Sequence, residues 1–266
     1  ARLMLHHAAL ATVIATGTLI YASLMHEPDL ADFHASELPG ILLEARPAFA
    51  DHNAIIDERA RFAELMMRSA DAENDRMQAA AALIDPAIER QARNVSTERR
   101  DPALGLLMQY FGVPEMENLE ELALTLKKRA APLPPKLVAV QAAIESAWGT
   151  SRFATEGMNL VGHQCYSQGC GIKPWDRPES SNLEVRRFDS IGDSVAAYYQ
   201  NINSHRAYRQ LRATRHALVL DNAPVTAVAL IPALGSYSER GGAYLRSLRS
   251  LLRSEYVVLA AETPRP

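Results

Sequence analysis

Positive charge is scarce in this chain. With 28 Lys+Arg against 31 Asp+Glu the formal net charge is −3, so no global field exists to hold a polyanion, and nucleic acid is not an expected partner. Cysteine is scarcer, with only Cys165 and Cys170. Together with His163 they form a His-x-Cys-x4-Cys string, which lacks the fourth close ligand that structural zinc almost always takes. The two thiols remain candidates for a short disulfide, free thiols or a metal, and an exported protein in an oxidising compartment favours the disulfide. Such a small ring adds modest loop-closure entropy, about 2 kcal/mol or less, so its role would be to shape a loop. Internal repeats are absent, and no glycine interrupts the stretch from Asn53 to Arg99.

What is present is enough for a real core: 266 residues, 48% of them hydrophobic, which suits one large domain or two modest ones. Charge divides unevenly, with 13 Lys+Arg against 20 Asp+Glu up to Ala130 and 15 against 11 beyond it. The basic second half is weakly suited to an anionic polymer. From Ala8 to Met25 the chain carries no charge and only Arg2 precedes it as a certain cation. That pattern predicts a signal anchor or a signal peptide over residues 1–27. A small-x-small cleavage site is missing, which favours an uncleaved inner-membrane anchor, with a buried globular helix as the alternative. A linker over 28–52 follows, containing Pro28, Pro39 and Pro47.

Helical spacing of Ile55, Ile56, Phe62, Leu65 and Met66, and then of Met77, Ala80, Ala81, Ile84 and Ile88, predicts two helices broken at Asp85-Pro86. An apolar segment spans 104–111, and Asn118 followed by Glu120 and Glu121 reads as a helix start. These elements form a helical extension over 53–130. After the stretch AAPLPP a strongly apolar helix is expected from Lys136 to Trp148, closed by Gly149. The Gly-, Pro- and Cys-containing stretch 159–188 predicts a loop and a small β-hairpin. Helices are expected again from Ile191 with Asp189 or Ser190 as cap, over 207–220, over 225–230, and over 241–256.

Glu145 lies in the most apolar helix, flanked by Val138, Val140, Ala142, Ala143, Ile144 and Trp148. Apolar surroundings favour the protonated carboxyl, which is the state a glycosidic oxygen needs from its general acid. On these residues alone, an exposed glutamate or a partner for an arginine is the more usual reading of a glutamate late in a helix. Four arginines, Arg206, Arg209, Arg212 and Arg215, recur every third position and would form a drifting stripe on one helix. They could hold anionic peptide stems or lactyl carboxylates, or form a solvated face paired with acids.

The segment AAIESAWGTSRFA, followed by Asn159-Leu160-Val161-Gly162, resembles the motif of the glucosaminidase family of peptidoglycan hydrolases. The continuation NLVGHQCYSQGCGIKP, then FDSIGDSVAAYYQNINSHRAYRQLRATR and LGSYSERGGAYLRSLRSLL, is similar to its Bax-like branch. The resemblance covers roughly Pro135 to Leu252. It implies a mainly α (α+β), lysozyme-like catalytic domain over 131–256 with a tail over 257–266, and no metal or organic cofactor. It also implies cleavage of the β-1,4 bond after N-acetylglucosamine in peptidoglycan glycan strands, with Glu145 as general acid. Tyr237 would line the cleft beside it. Ser146, Trp148, Asn159, Leu160 and Gly162 would shape the substrate site, and Glu239 stands beside Tyr237 as a further candidate, more readily structural. Val161 and Gln164 depart from the family pattern, where aromatics are usual, and Trp175 is the candidate to replace that surface. A second carboxylate would come from the hairpin: Glu184 first, with Glu179 and Asp176 behind it, unless the substrate's own acetamido group attacks. A lytic transglycosylase and a non-hydrolytic wall-binding scaffold are the alternatives. The expected location is periplasmic, at the inner membrane.

Overall fold

A computed structural model of the chain describes residues 52–93, 100–175, 181–235, 237–238 and 240–262. The expected anchor and linker, together with Asp176, Glu179 and Glu239, lie outside the described residues. Among the described residues no helix is long and apolar enough to cross a membrane. Among the described residues eleven α-helices, α1 to α11, and a three-stranded antiparallel sheet make the fold mainly α, as the lysozyme-like expectation required. Contacts divide the described chain into two compact units, and α1 (His52–Ala82) contributes to both, up to Glu73 in one and from Asn74 in the other.

In the unit of 74–132, α2 (Ile84–Arg93), α3 (Pro102–Phe111) and α4 (Leu119–Arg129) pack pairwise. Their apolar faces bury Ile84, Ala87, Leu104, Leu107, Phe111, Leu122 and Leu126. The expected break at Asp85-Pro86 falls instead at Leu83. Pro86 then sits in the first turn of α2, where a missing N–H leaves no intrahelical bond unmade. The predicted cap is made: Asn118 Oδ1 accepts from the Glu120 and Glu121 amides at 2.9 and 3.1 Å. Asp101, not singled out in the sequence, caps α3 while pairing with Arg90 at 2.8 Å.

The second unit combines the described part of 30–73 with 133–262. Residues up to Glu73, expected in a separate extension, therefore share this core: Phe62 meets the Trp148 ring edge-on at 5.8 Å. The central element is α5 (Pro135–Ser146), which is apolar on all sides and buries Leu137, Val138, Ala139, Val140, Ala142 and Ala143. It ends before the expected Gly149. Ser146 Oγ accepts from the Gly149 amide at 2.8 Å, and Ala147, Trp148 and Gly149 all take positive φ, of 52°, 60° and 77°. This left-handed run turns the chain sharply into α6 (Arg152–Gly157).

The sheet is not the two-stranded hairpin expected. Strands β1 (Gln164–Cys165) and β2 (Gly171–Ile172) both pair with β3 (Glu184–Arg186), giving the order β1-β3-β2. Gly171 permits the close approach, because a Cβ there would lie 2.0 Å from the Val185 carbonyl oxygen. Cys165 and Cys170 form a disulfide between β1 and the start of β2.

The remaining helices are α7 (Ile191–Ser204), α8 (Arg209–Leu220), α9 (Ala227–Leu230), α10 (Gly242–Leu252) and α11 (Glu255–Glu262), with 3-10 turns at Arg206–Tyr208 and Ile231–Leu234. The single helix expected over 241–256 is two, because Ser254 turns back to the Leu251 carbonyl through its amide at 3.0 Å and its hydroxyl at 2.6 Å. Val257 and Ala260 are buried, so residues expected as tail belong to the core. The arginine stripe is neither a solvated face nor a free cationic surface. Arg206 and Arg209 are exposed, but Arg212 donates to the Ile202 and His205 carbonyls at 2.8 and 2.9 Å, and Arg215 to Asn203 Oδ1 at 2.8 Å. Arg212 satisfies backbone carbonyls at the C-terminal end of α7, where unpaired carbonyls favour cations, and Arg215 holds a side chain of the same turn.

Candidate active site

Glu145 is half-buried on the last turn of α5. Burial pushes its carboxyl above the usual carboxylate range, opposed by a hydrogen bond from Tyr244 and by the charge of Arg240. A carboxyl desolvated in this way retains its proton to higher pH. Helix α10 supplies Tyr244, whose hydroxyl also accepts from Gln141 Nε2 at 2.9 Å; Gln141 Oε1 in turn accepts from Tyr198 at 2.5 Å. Gln141, Tyr198 and Tyr244 are essentially inaccessible to solvent.

The turn 159–163 forms the other side of Glu145. Gly162 has φ 71°, and a Cβ there would come within 3.3 Å of Glu145 Oε2. A side chain at this position would crowd that oxygen. Asn159 holds the turn shut, its Nδ2 donating to the His163 and Arg186 carbonyls at 2.8 Å each and its Oδ1 accepting from the His163 amide at 3.0 Å. Leu160 is buried and its amide donates to Ser194 Oγ at 3.1 Å. His163 is pressed against β3, where burial first and the nearby Arg186 charge second lower its imidazole to about 4.

Tyr237 lies among Tyr198, Tyr208 and Tyr244, stacked on the last with ring centroids 5.7 Å apart. Its hydroxyl donates to the Val161 carbonyl at 2.9 Å, which ties the Gly162 turn to the tyrosine cluster. The phenol whose hydrogen bonding opposes the rise of the Glu145 carboxyl is Tyr244. Burial, followed by Tyr198, Tyr244, Glu145 and Tyr208, holds the Tyr237 phenol well above its ordinary value, and it stays neutral.

The remaining candidates separate. Ser146 is buried in a helix-end bond to the Ala142 carbonyl at 2.6 Å. The Trp148 ring lies edge-to-face against Phe62 and Tyr256 beneath the Arg59 guanidinium, 5.3 Å from its centroid. Trp175 is 88% exposed and is held by Arg152, whose guanidinium stacks 4.6 Å from the ring centroid. Glu184, first choice as second carboxylate, is 1% exposed and accepts from the Gly169 and Gly171 amides at 3.2 and 2.9 Å. In that position it anchors the disulfide loop and is shielded from any water it could activate. Among the described residues no cluster of His, Cys, Asp and Glu has the makings of a metal site.

A family sequence model described as mannosyl-glycoprotein endo-beta-N-acetylglucosaminidase matches residues 121–253, half of the chain. The chain belongs to the glucosaminidase family. It is also 36% identical over 137 residues to Protein bax of Escherichia coli (strain K12), covering 52% of this chain and 48% of that protein. The chain therefore spans about half the length of this relative. No solved structure matches it significantly. The family match takes in Glu145, the turn at Gly162, the sheet, Tyr237 and Tyr244, whereas α11 and the described residues before Glu73 extend the same core beyond it.

Sequence reasoning did not single out Gln141, Tyr198, Arg240 or Tyr244. One signal was available. Gln141 is the sole polar residue in the run from Leu137 to Ile144 and stands four positions before Glu145, a spacing that puts both on one helix face. Nothing comparable marked Tyr244, because its partners are distant in sequence.

Proposed function

We propose that this glucosaminidase-family chain hydrolyses the β-1,4 bond after N-acetylglucosamine in peptidoglycan, with Glu145 as general acid. The observation that carries the reading is the setting of Glu145: a half-buried carboxyl at the end of an apolar helix, its affinity for a proton raised by burial, with a glycine where a side chain would crowd its Oε2. As the glycosidic C–O bond breaks, the Glu145 O–H proton passes to the leaving oxygen, leaving the carboxylate that Tyr244 and Arg240 stabilise.

A glycosidase pairs its acid with a second group about 5–5.5 Å away for retention or roughly 6.5–9.5 Å away for inversion. Because Glu184 is committed to two backbone amides, the reading that suits this site is attack by the substrate's acetamido oxygen on the anomeric carbon, followed by water. The exposed Trp175 offers a ring for sugar stacking. The uncharged segment from Ala8 to Met25 supports an exported, periplasmic protein held at the inner membrane by that segment.

Mass spectrometry of fragments released from purified sacculi tests the assignment. Wild type is expected to release products ending in reducing N-acetylglucosamine, and Glu145→Gln is expected to release essentially none. Products lighter by one water and carrying an anhydro sugar would establish a lytic transglycosylase instead. Undiminished release by Glu145→Gln would remove Glu145 from the chemistry, and sacculus binding without release by wild type would leave a wall-binding scaffold.

A further inference from the structure

The tyrosines and glutamine behind Glu145 form one directed chain of hydrogen bonds. Tyr198 occupies the Gln141 amide oxygen, so Gln141 meets Tyr244 with its N–H and the Tyr244 hydrogen must point elsewhere; the neighbouring Glu145 carboxyl, a pure acceptor when ionised, is the group it serves. The Tyr244 oxygen then accepts from Gln141 Nε2 at 2.9 Å, which turns the amide oxygen toward Tyr198, whose hydroxyl donates to it at 2.5 Å. All three groups are sealed, with Gln141 and Tyr198 at 0% exposure and Tyr244 at 1%, so no bulk water offers an alternative partner. Reversing the Tyr244 bond when Glu145 gains a proton would require the Gln141 amide to rotate by a half-turn within a packed helix. The chain of bonds therefore keeps one direction in both states of the acid.

We propose that Gln141 and Tyr244 are positioning residues that keep one Glu145 oxygen permanently an acceptor, so that the transferable proton always rests on the other. The proposal rests on the general-acid reading of Glu145, and it explains why an apolar helix buries a glutamine on the face of its catalytic candidate. In the transfer step the O–H bond on the free oxygen breaks, its electron pair stays on the carboxylate, and the new anion is met by the donor already aimed at it. No rotation need precede the step.

The charged and titratable groups that face Glu145 are Arg240, Tyr198, Tyr208, Tyr237 and Tyr244. Of the other helices packed on α5, α9 carries none, and the Tyr256 hydroxyl of α11 accepts from Arg59 at 3.2 Å. Loss of the Tyr244 donor removes a stabiliser of the ionised form, so the Glu145 titration moves to higher pH.

The test is an NMR titration of the Glu145 side-chain carboxyl in the full chain, run beside the pH profile of sacculus hydrolysis. Variants are Tyr244→Phe, Gln141→Leu and the double variant. Tyr244→Phe keeps the ring stacked on Tyr237 and is expected to move the titration and the alkaline limb of the rate profile upward. kcat should fall roughly tenfold to a hundredfold with KM unchanged. Gln141→Leu is expected to shift both in the same direction by less, and the double variant to match Tyr244→Phe, because the two act in series. Titration and kcat within twofold of wild type in Tyr244→Phe, or effects that add in the double variant, would overturn the proposal. Should Gln141→Leu fail to fold, Tyr198→Phe removes the next bond in the chain and carries the same expectation. The titration needs no turnover. If wild type or Glu145→Gln contradicts the hydrolase assignment, the carboxyl titration still decides the proton placement alone.

Discussion

Replacement of Glu184 by glutamine separates anchoring of the disulfide loop from direct catalysis. Glu184 is 1% exposed, and its Oε1 and Oε2 accept from the Gly169 and Gly171 amides at 3.2 and 2.9 Å. A hydrogen bond to a charged group contributes about 1.5–3 kcal/mol, and a buried donor left facing another donor adds its desolvation cost. Glu184→Gln keeps one acceptor and turns an amide NH2 toward the other N–H, so the loss is expected at about 2–4 kcal/mol. For a unit of roughly 200 residues, at about 2–4 °C per kcal/mol, the midpoint should fall by roughly 5–15 °C. The assay is thermal unfolding under non-reducing conditions, paired with hydrolysis of sacculi well below the midpoint. Activity per folded molecule is expected to stay within severalfold of wild type. A variant with an unchanged midpoint and hydrolysis lost by about a thousandfold would refute the anchoring argument and make Glu184 the second catalytic carboxylate.

Three further perturbations follow. His163 is lowered to about 4 by burial and by Arg186, so the unfolded state binds its proton more readily than the folded state between about 6.5 and 4. Stability is lost as pH falls through that window, by at most about 3 kcal/mol, and urea unfolding of His163→Asn across it should show a flatter profile than wild type. Gly162→Ala places a methyl 3.3 Å from Glu145 Oε2 at φ 71°. A strained alanine there is expected to cost about 1–2 kcal/mol of stability and to reduce kcat far more than that loss explains, as steady-state kinetics on the folded fraction would show. Arg215→Met removes a buried guanidinium, lowered to about 10, from Asn203 and the end of α7. Denaturant titration should register a loss of about 1.5–3 kcal/mol, with activity of the surviving folded protein retained.

Much of this protein is settled by local sequence. Apolar periodicity marks α2, α3, α5, α7 and α8, and the Asn118 cap needs no knowledge of distant residues, since capping groups lie within a few positions of the amides they satisfy. Glu145 is conspicuous for the same reason, as a carboxyl in a helix with no polar flank. Helix ends were less legible. Leu83 breaks the first pair two residues before the expected position, and Ser254 divides the last helix, because each depends on how the neighbouring turns pack. Tertiary structure alone decided the roles of the polar residues. Glu184 has the composition of a catalytic base and the surroundings of an anchor, and two of four evenly spaced arginines vanish into the end of α7. Tyr244 meets Gln141 across about a hundred residues, and Gln141 lies one helical turn before Glu145. A buried polar side chain takes its function from the partners that satisfy it, and those partners are brought together only by the fold.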